Sequence, residues 1–380
     1  MSTYDAIVLG LGGMGSAAAA HLASRSKRVL GLEQFAPAHD RGSSHGQTRI
    51  IRQAYWEDPA YVPLLLRAYD LWLELERKTG RALYLRTGGL MVGQERSSLV
   101  SGSRRSALEH GLKHEMLDAR EVRARFPATR PHSDEVALFE EPAGILFPEA
   151  CVRAHLEWAT RSGADLRFEA SVSSWQAHAD GRVRVSTAAG ESFEADTLII
   201  CAGAWLSQQA KELGLPLRVE RNVAHWFAPV ANADLFAPDR LPVYIVERDP
   251  RSVLYGFPSV GGEGIKAAFH HSHTFTTPEV IDREVAPQEV ERVRVALADW
   301  LPDANGKHLA SSVCMYTLTP DEHFLIGRHP HQRNVIIAGG FSGHGFKFCS
   351  VVGELLADLV VNDSTKHDIG LFGFERLARV

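Results

Sequence analysis

The sequence predicts a mixed α/β chain in which a Rossmann-like dinucleotide-binding domain is joined to a second domain built on a mostly antiparallel sheet. Three observations predict it. A strand, glycine turn, helix, strand and acid follow one another within residues 4–33. The runs at 196–202 and 334–338 are nearly continuously apolar and lead into glycines, as buried parallel strands do. Residues 218–318 look strand-rich, with turn signals at Pro242, Asp249-Pro250, Gly256, Pro258 and Gly261-Gly262.

Tyr4-Asp5-Ala6-Ile7-Val8-Leu9 is an apolar run of strand length. It leads directly into Gly10-Leu11-Gly12-Gly13-Met14-Gly15, the spacing G-x-G-x-x-G, and an alanine-rich helix through Ala23. A second apolar run, Arg28-Val29-Leu30-Gly31-Leu32, ends on Glu33. Gly10, Gly12 and Gly15 allow a tight turn and close backbone approach, the helix N-terminus faces a pyrophosphate, and Glu33 can hold ribose hydroxyls. A helix is expected from about Tyr61 to Lys78, with Leu64, Leu65, Ala68, Leu71, Trp72 and Leu75 at helical spacing and Gly80 as its stop. Residues 84–145 mix short apolar runs with charge and are expected to leave the nucleotide domain. A helix at 149–162 returns to it, followed by a strand at 165–168 and alternating strands through Val185. After the strand at 334–338 comes a glycine-rich segment ending at Lys347, then a helix to about Val361. The predicted nucleotide domain is therefore discontinuous, comprising 1–84, 146–217 and 320–380, with 85–145 and 218–319 forming the substrate domain.

With 380 residues, 45% of them hydrophobic, the chain can bury two ordinary cores or one large one. A net charge of -5 argues against a nucleic-acid or membrane-surface protein, and no apolar run approaches bilayer-spanning length. The fingerprint begins at residue 4, so no leader is expected ahead of it. Cys151, Cys201, Cys314 and Cys349 lack metal or disulfide spacing, which fits a reducing cytoplasm. No metal site is expected: His270-His271-Ser272-His273 has no carboxylates at matching spacing.

Three further stretches are informative together. They are Gly42-Ser43-Ser44-His45-Gly46-Gln47-Thr48-Arg49-Ile50-Ile51-Arg52; Tyr255-Gly256-Phe257-Pro258 with Lys266 and His270; and Cys314-Met315-Tyr316-Thr317-Leu318-Thr319-Pro320-Asp321-Glu322-His323-Phe324 with the glycine segment 339–348. Their combination resembles the monomeric sarcosine oxidase family of flavin amine oxidases, which also holds N-methyltryptophan and pipecolate oxidases. The resemblance runs from residue 4 to about 370. It implies a domain of the glutathione-reductase or D-amino-acid-oxidase type that binds FAD, covalently attached to Cys314. It also implies oxidation of a secondary amino acid to an imine, with O2 reduced to H2O2. Sarcosine, giving glycine and formaldehyde, is the simplest substrate. N-methyl-L-tryptophan, pipecolate or a glycated amino acid stays open, as does, more remotely, a flavin or NAD dehydrogenase. The expected partners are a small secondary amine and O2, with no nucleic acid, membrane or obligatory protein partner.

By this resemblance Arg52 and Lys347 clamp the substrate carboxylate, and Tyr316 contacts substrate. Arg49 and Lys266 face the flavin ring, with Lys266 favouring oxygen activation through its charge. Tyr255 and His270 are pocket residues, and His45 and Thr48 are flavin-side contacts. Gly343 and Gly345 belong to a segment opening a helix, whose N–H groups can stabilise the negative charge of a reduced flavin. The residue types suit these roles. Paired cations hold a carboxylate well, arginine through its fork. A cation at a helix start, as expected for Lys347, opposes the dipole, so stability does not explain it. A lysine in the apolar frame around Lys266 is costly to bury unpartnered; the alternative is an outward position on an edge strand. The thiolate of Cys314 can add to the flavin 8α-methyl position, whereas a buried free cysteine would simply be a small hydrophobe, as Cys349 reads. The sequence departs from the family pattern at Ser44, where histidine is common, at Gln47, where aspartate is common, and at Gly327, where an acid is common.

Overall fold

The computed structural model describes residues 3–379; Met1, Ser2 and Val380, at the ends of the expected nucleotide domain, lie outside it. Within the described residues there is an eight-stranded sheet, ordered Val172–Ala177, Val183–Thr187, Ser192–Ile200, Thr3–Leu9, Val29–Leu32 and Asp165–Arg167. Gln332–Gly339 joins it beside Ser192–Ile200, and Leu325–His329 pairs with Gln332–Gly339. The central pairings are parallel, so these strands are apolar throughout: Ile7, Val8, Leu30, Leu198, Ile199, Ile200, Ile336 and Ile337 are fully buried.

Four helices, Gly13–Ala23, Val62–Thr79, Pro148–Arg161 and Cys349–Asn362, pack into one hydrophobic cluster with this sheet. Ala17, Ala18, Ala19 and Ala20 keep the first helix thin enough for neighbours to approach closely. Val62–Thr79 buries all six apolar residues expected of it and stops at Gly80, which is left-handed and donates its N–H to the Glu76 carbonyl.

The second sheet has nine strands, among them Arg218–Phe227, Ile265–Phe269, Leu254–Phe257, Val243–Glu247 and Gly89–Gln94, with His308–Leu318 paired to Arg218–Phe227. It is mostly antiparallel, with Gly89–Gln94 parallel to Val243–Glu247 as the exception. A small sheet of Arg49–Ile51, Gly144–Leu146 and Tyr84–Arg86 lies where the chain leaves for the large antiparallel sheet and returns from it.

One element departs from the sequence reading. Pro287–Trp300, inside the stretch read as strand-rich, is a helix burying Val293, Leu297 and Trp300. Pro287 sits in its first turn and the Glu289 carboxylate accepts the Ala286 N–H. Its helical spacing is diluted by charged residues and β-branched valines, whose local preference favours strands. No helix among the described residues is long and apolar enough to cross a membrane.

Candidate active site

An elongated cleft of about 420 Å³ runs between the sheets. Glu33, Gln34, Ala38 and His39 line it, then Gly10 to Met14, then Ser43, Ser44, Arg49, Met315, Tyr316, Gly343 and Gly345. The glycine turn is tight for a visible reason. A Cβ on Gly10, at φ +85°, would lie 2.5 Å from the Cys201 carbonyl oxygen, and one on Gly15 would lie 1.8 Å from the Gly10 carbonyl oxygen. Gly15 therefore presses the helix onto the strand and does not itself line the cleft. Glu33 accepts N–H bonds from Leu11 at 2.8 Å and Phe35 at 3.1 Å, which fixes its carboxylate against the turn. The first helix has no side-chain cap from Gly12, and the Ser44 hydroxyl accepts the Gly13 N–H at 3.1 Å.

A smaller cavity of about 80 Å³ adjoins the cleft, sharing Arg49, Tyr316, Gly343 and Phe346 with it. Into it the fold brings Arg52, Glu57, Tyr255, His270, Cys314, His344 and Lys347. The Arg52 guanidinium is buried; its Nη2 donates to both Glu57 oxygens at 2.7 and 2.5 Å and its Nη1 to the Ala54 carbonyl at 2.8 Å. Burial opposes that charge, but Glu57 outweighs it and raises the Arg52 pKa. Lys347 lies in a single 3₁₀ turn, Phe346–Phe348, just before the long helix, and donates to the His344 carbonyl at 2.7 Å. Burial, then the neighbouring Arg52 charge, lowers its pKa to about 7. His270 is driven well below the usual histidine range by burial and nearby cations, so its ring is neutral. Burial pushes the Tyr255, Tyr316 and Cys314 pKa values up.

Three expected residues lie behind the cavity wall. Lys266 is 2% exposed on an interior strand, which rules out the edge-strand alternative. Its ammonium donates to the Gly46 carbonyl at 2.6 Å and to the Thr48 carbonyl and hydroxyl, each at 3.1 Å. Three acceptors match three N–H bonds, although burial and Arg49 lower its pKa well below the lysine range. Thr48 thus anchors Lys266 and lines a separate depression with it. His45 bonds the Gly42 carbonyl at 3.1 Å and lies 3.4 Å from the Ser312 hydroxyl, supporting the 42–52 loop from beneath. Of the three departures, Ser44 lines the cleft; Gln47 and Gly327 line neither cavity.

Two groups of this cavity received no role from the sequence. Glu57 appears as an ordinary loop acid in Trp56-Glu57-Asp58, although its short spacing from Arg52 was a usable signal. His344 bridges the Tyr55 hydroxyl at 2.6 Å and the Glu322 carbonyl at 3.0 Å, holding the loop that carries Lys347. Among the described residues no cluster of three or more histidine, cysteine or acidic side chains could hold a metal.

A family profile described as FAD dependent oxidoreductase (DAO) matches residues 5–359. The monomeric sarcosine oxidase of Streptomyces avermitilis is 52% identical over 379 residues, covering 99% of this chain and 98% of that one. The chain belongs to the monomeric sarcosine oxidase family. It is an FAD-dependent amine oxidase by that membership. Within the family it is 33% identical to human peroxisomal sarcosine oxidase, over 98% of this chain and 96% of that one. It is 31% identical to the N-methyl-L-tryptophan oxidase of Yersinia pestis, over 98% and 99%. In fold it is similar to the solved structure of NikD, an amino acid oxidase of nikkomycin biosynthesis, with TM-score 0.85 at 24% identity over 98% of each chain. It is also similar to L-proline dehydrogenase from P. horikoshii, with TM-score 0.86 at 22% identity over 100% and 98%.

The family's FAD fits these residues. A Cβ on Gly12 would find nothing nearer than the Ser44 hydroxyl at 3.7 Å, so that stretch of backbone is open to the cleft. The N–H groups of the first turn other than that of Gly13, which Ser44 accepts, would offer donors to a pyrophosphate and Glu33 an acceptor to ribose, and the cleft joins them to the cavity lined by Cys314.

Proposed function

We propose that this chain is an FAD-dependent oxidase that demethylates an N-methyl amino acid, with sarcosine the first substrate, and reduces O2 to H2O2. It would act in the cytoplasm without an obligatory protein partner. The observation that carries the reading is the small cavity in which Arg52 and Lys347 adjoin Tyr316 and Cys314. About 80 Å³, lined in part by Trp56, Ile245 and Val253, suits a small amino acid better than N-methyl-L-tryptophan. The 31% identity to an N-methyl-L-tryptophan oxidase keeps that bulkier substrate as the second reading.

Bound FAD would supply the two-electron acceptor. The Gly10–Gly15 turn would hold its pyrophosphate, Glu33 its ribose, the backbone at Gly343 and Gly345 its ring, and Cys314 a covalent thioether. The chain's own residues handle charge. Arg52 exchanges Glu57 for the substrate carboxylate, and protonated Lys347 completes the clamp. Arg49, Arg52 and Lys347 disfavour a further cation in the cavity, so a bound secondary ammonium loses its proton and the reactive free amine is favoured. Neutral His270, with Tyr255 and Tyr316, offers hydrogen bonds that orient this amine. Lys266, with His45 and Thr48 fixing its surroundings, keeps a positive charge near the ring for oxygen. The FAD-binding domain is assigned to 1–84, 146–217 and 320–380, and the substrate domain to 85–145 and 218–319.

The test is peroxide production by the purified protein, compared as kcat/KM for sarcosine and N-methyl-L-tryptophan. Preference for sarcosine is expected. Preference for the tryptophan derivative would transfer the reading to a bulkier substrate, and peroxide from no secondary amine would overturn it. Cys314→Ser is expected to lose all acid-stable flavin; retention would refute the attachment.

A further inference from the structure

The antiparallel register between Arg218–Phe227 and His308–Leu318 sets Asn222 directly opposite Cys314, and Glu220 opposite Tyr316. Opposed residues of such a pair project from the same face, with Cβ atoms roughly 5 Å apart. Asn222 therefore stands beside the thiol that faces the cavity. It is 3% exposed, and neither its Nδ2 nor its Oδ1 has a hydrogen-bond partner among the described residues. Its polar neighbours on that face are satisfied. Glu220 accepts from His271 and from the N–H groups of Ser272 and His273, and Lys266 has its three oxygens. A buried amide left unpartnered is costly, and a leucine of similar size would fill the space without that cost. Asn222 is thus poorly explained by packing.

We propose that Asn222 is a positioning residue for flavin attachment, its Nδ2–H donating to the Cys314 sulfur as the thiol loses its proton. The proposal rests on the reading that FAD is attached through Cys314. In the step, the thiol proton and one proton of the flavin 8α-methyl group leave. A bond forms between Sγ and the 8α carbon, and two electrons enter the flavin. Dioxygen, the family's acceptor, then takes these two electrons and two protons as H2O2. The net change is thiol plus oxidised FAD plus O2 to thioether-linked FAD plus H2O2. Asn222 changes none of this stoichiometry. It lowers the cost of the thiolate and aims it.

Other groups also act on this sulfur. Arg49, Lys266 and Arg283 favour the thiolate, while burial and the neighbouring Glu220 oppose it, and Tyr255, Tyr316 and His270 share its surroundings. Substitution at Asn222 leaves all of them in place, so a change in the pH profile reports on the amide.

The experiment mixes the flavin-free full-length chain with FAD and follows acid-precipitable flavin against pH for wild type, Asn222→Leu and Asn222→Asp. With Asn222→Leu, attachment is expected to slow about tenfold near neutral pH, the loss of one hydrogen bond to a charged acceptor. The deficit should vanish at alkaline pH, where the thiolate forms unaided. Asn222→Asp should be slower still, because its carboxylate repels the thiolate. Equal rates in wild type and Asn222→Leu, or a deficit independent of pH, would overturn the proposal. If Asn222→Leu no longer binds FAD, the pH dependence of Cys314 alkylation by iodoacetamide in the flavin-free chain decides. An upward shift supports the amide's role, and an unchanged profile overturns it. A wild-type chain whose flavin is not acid-stable would be a different failure, that of the attachment reading itself.

Discussion

Arg52 and Glu57 form an ion pair inside the cavity assigned to the substrate carboxylate, with one guanidinium nitrogen 2.7 and 2.5 Å from the two carboxylate oxygens. Burial alone would raise the Glu57 pKa, but Arg52, His344 and Lys347 together hold it below the usual carboxylate range. If Arg52 and Lys347 hold the substrate carboxylate as proposed, Glu57 is an internal competitor for that clamp. It satisfies a buried arginine, and on that proposal a substrate carboxylate must displace it.

Glu57→Gln should remove the competitor's charge while keeping its size. Acetate and sarcosine are expected to bind about three- to tenfold more tightly, read from the flavin absorbance on titration. The ligand-free protein should melt at lower temperature, since Arg52 then lacks a counter-charge, and saturating acetate should restore much of that loss. Weaker acetate binding would show that Glu57 organises the clamp and does not compete with it.

Lys347 should give the proposed clamp a pH limb. Its pKa of about 7 means that it loses its charge as pH rises through neutrality. Acetate affinity should fall about tenfold between pH 6 and 8, the worth of a charge-assisted hydrogen bond of ~1.5 kcal/mol. Lys347→Met should bind weakly and without this limb. The stability effect has the opposite sense. The folded pKa lies below the unfolded value of 10.5, so between the two the unfolded chain carries more protons and stability rises with pH. Lys347→Met should remove that contribution to the denaturation profile.

Gly15→Ala tests the turn apart from the chemistry. The added methyl carbon would sit 1.8 Å from the Gly10 carbonyl oxygen and 3.3 Å from the Cys201 Cβ, both in the packed interior. The helix must then retreat from the strand, moving the N–H groups that face the cleft. Loss of FAD at concentrations that saturate wild type is expected, with a large drop in melting temperature. Retention of FAD at wild-type affinity would show that the helix does not contribute to its binding.

The turn was legible in sequence because its chemistry is local: strand, glycines, helix and acid adjoin along the chain, and Gly10 and Gly15 each have a backbone reason. Arg52, Cys314, Tyr316 and Lys347 were legible only through family resemblance, since no spacing predicts that they share one cavity. Asn222 was invisible, because a polar residue on a strand has no meaning until the register sets it against Cys314. Lys266 was identified but not placed. Its apolar frame showed that it is unusual, while the carbonyls that hold it come from a loop distant in sequence. The helix Pro287–Trp300 was missed because its buried residues are sparse and its valines favour strands.

The role proposed for Lys266 separates oxygen chemistry from amine chemistry. It lines neither the cleft nor the substrate cavity, but its side chain lies beside Gly46, 3.7 Å from where a Cβ there would be. Lys266→Met should therefore leave anaerobic flavin reduction by sarcosine within about threefold of wild type while slowing reoxidation by O2 about a hundredfold, the scale of losing one preorganised electrostatic group. Wild-type reoxidation should itself slow as pH rises through the Lys266 pKa, which burial and Arg49 hold well below the lysine range. The methionine variant should show no such slope. Methionine also leaves the Gly46 and Thr48 oxygens without their donor, so some loss of stability is expected. Stopped-flow measurement of the two half-reactions decides. If both slow equally, Lys266 supports the loop, and the charge that serves oxygen lies elsewhere.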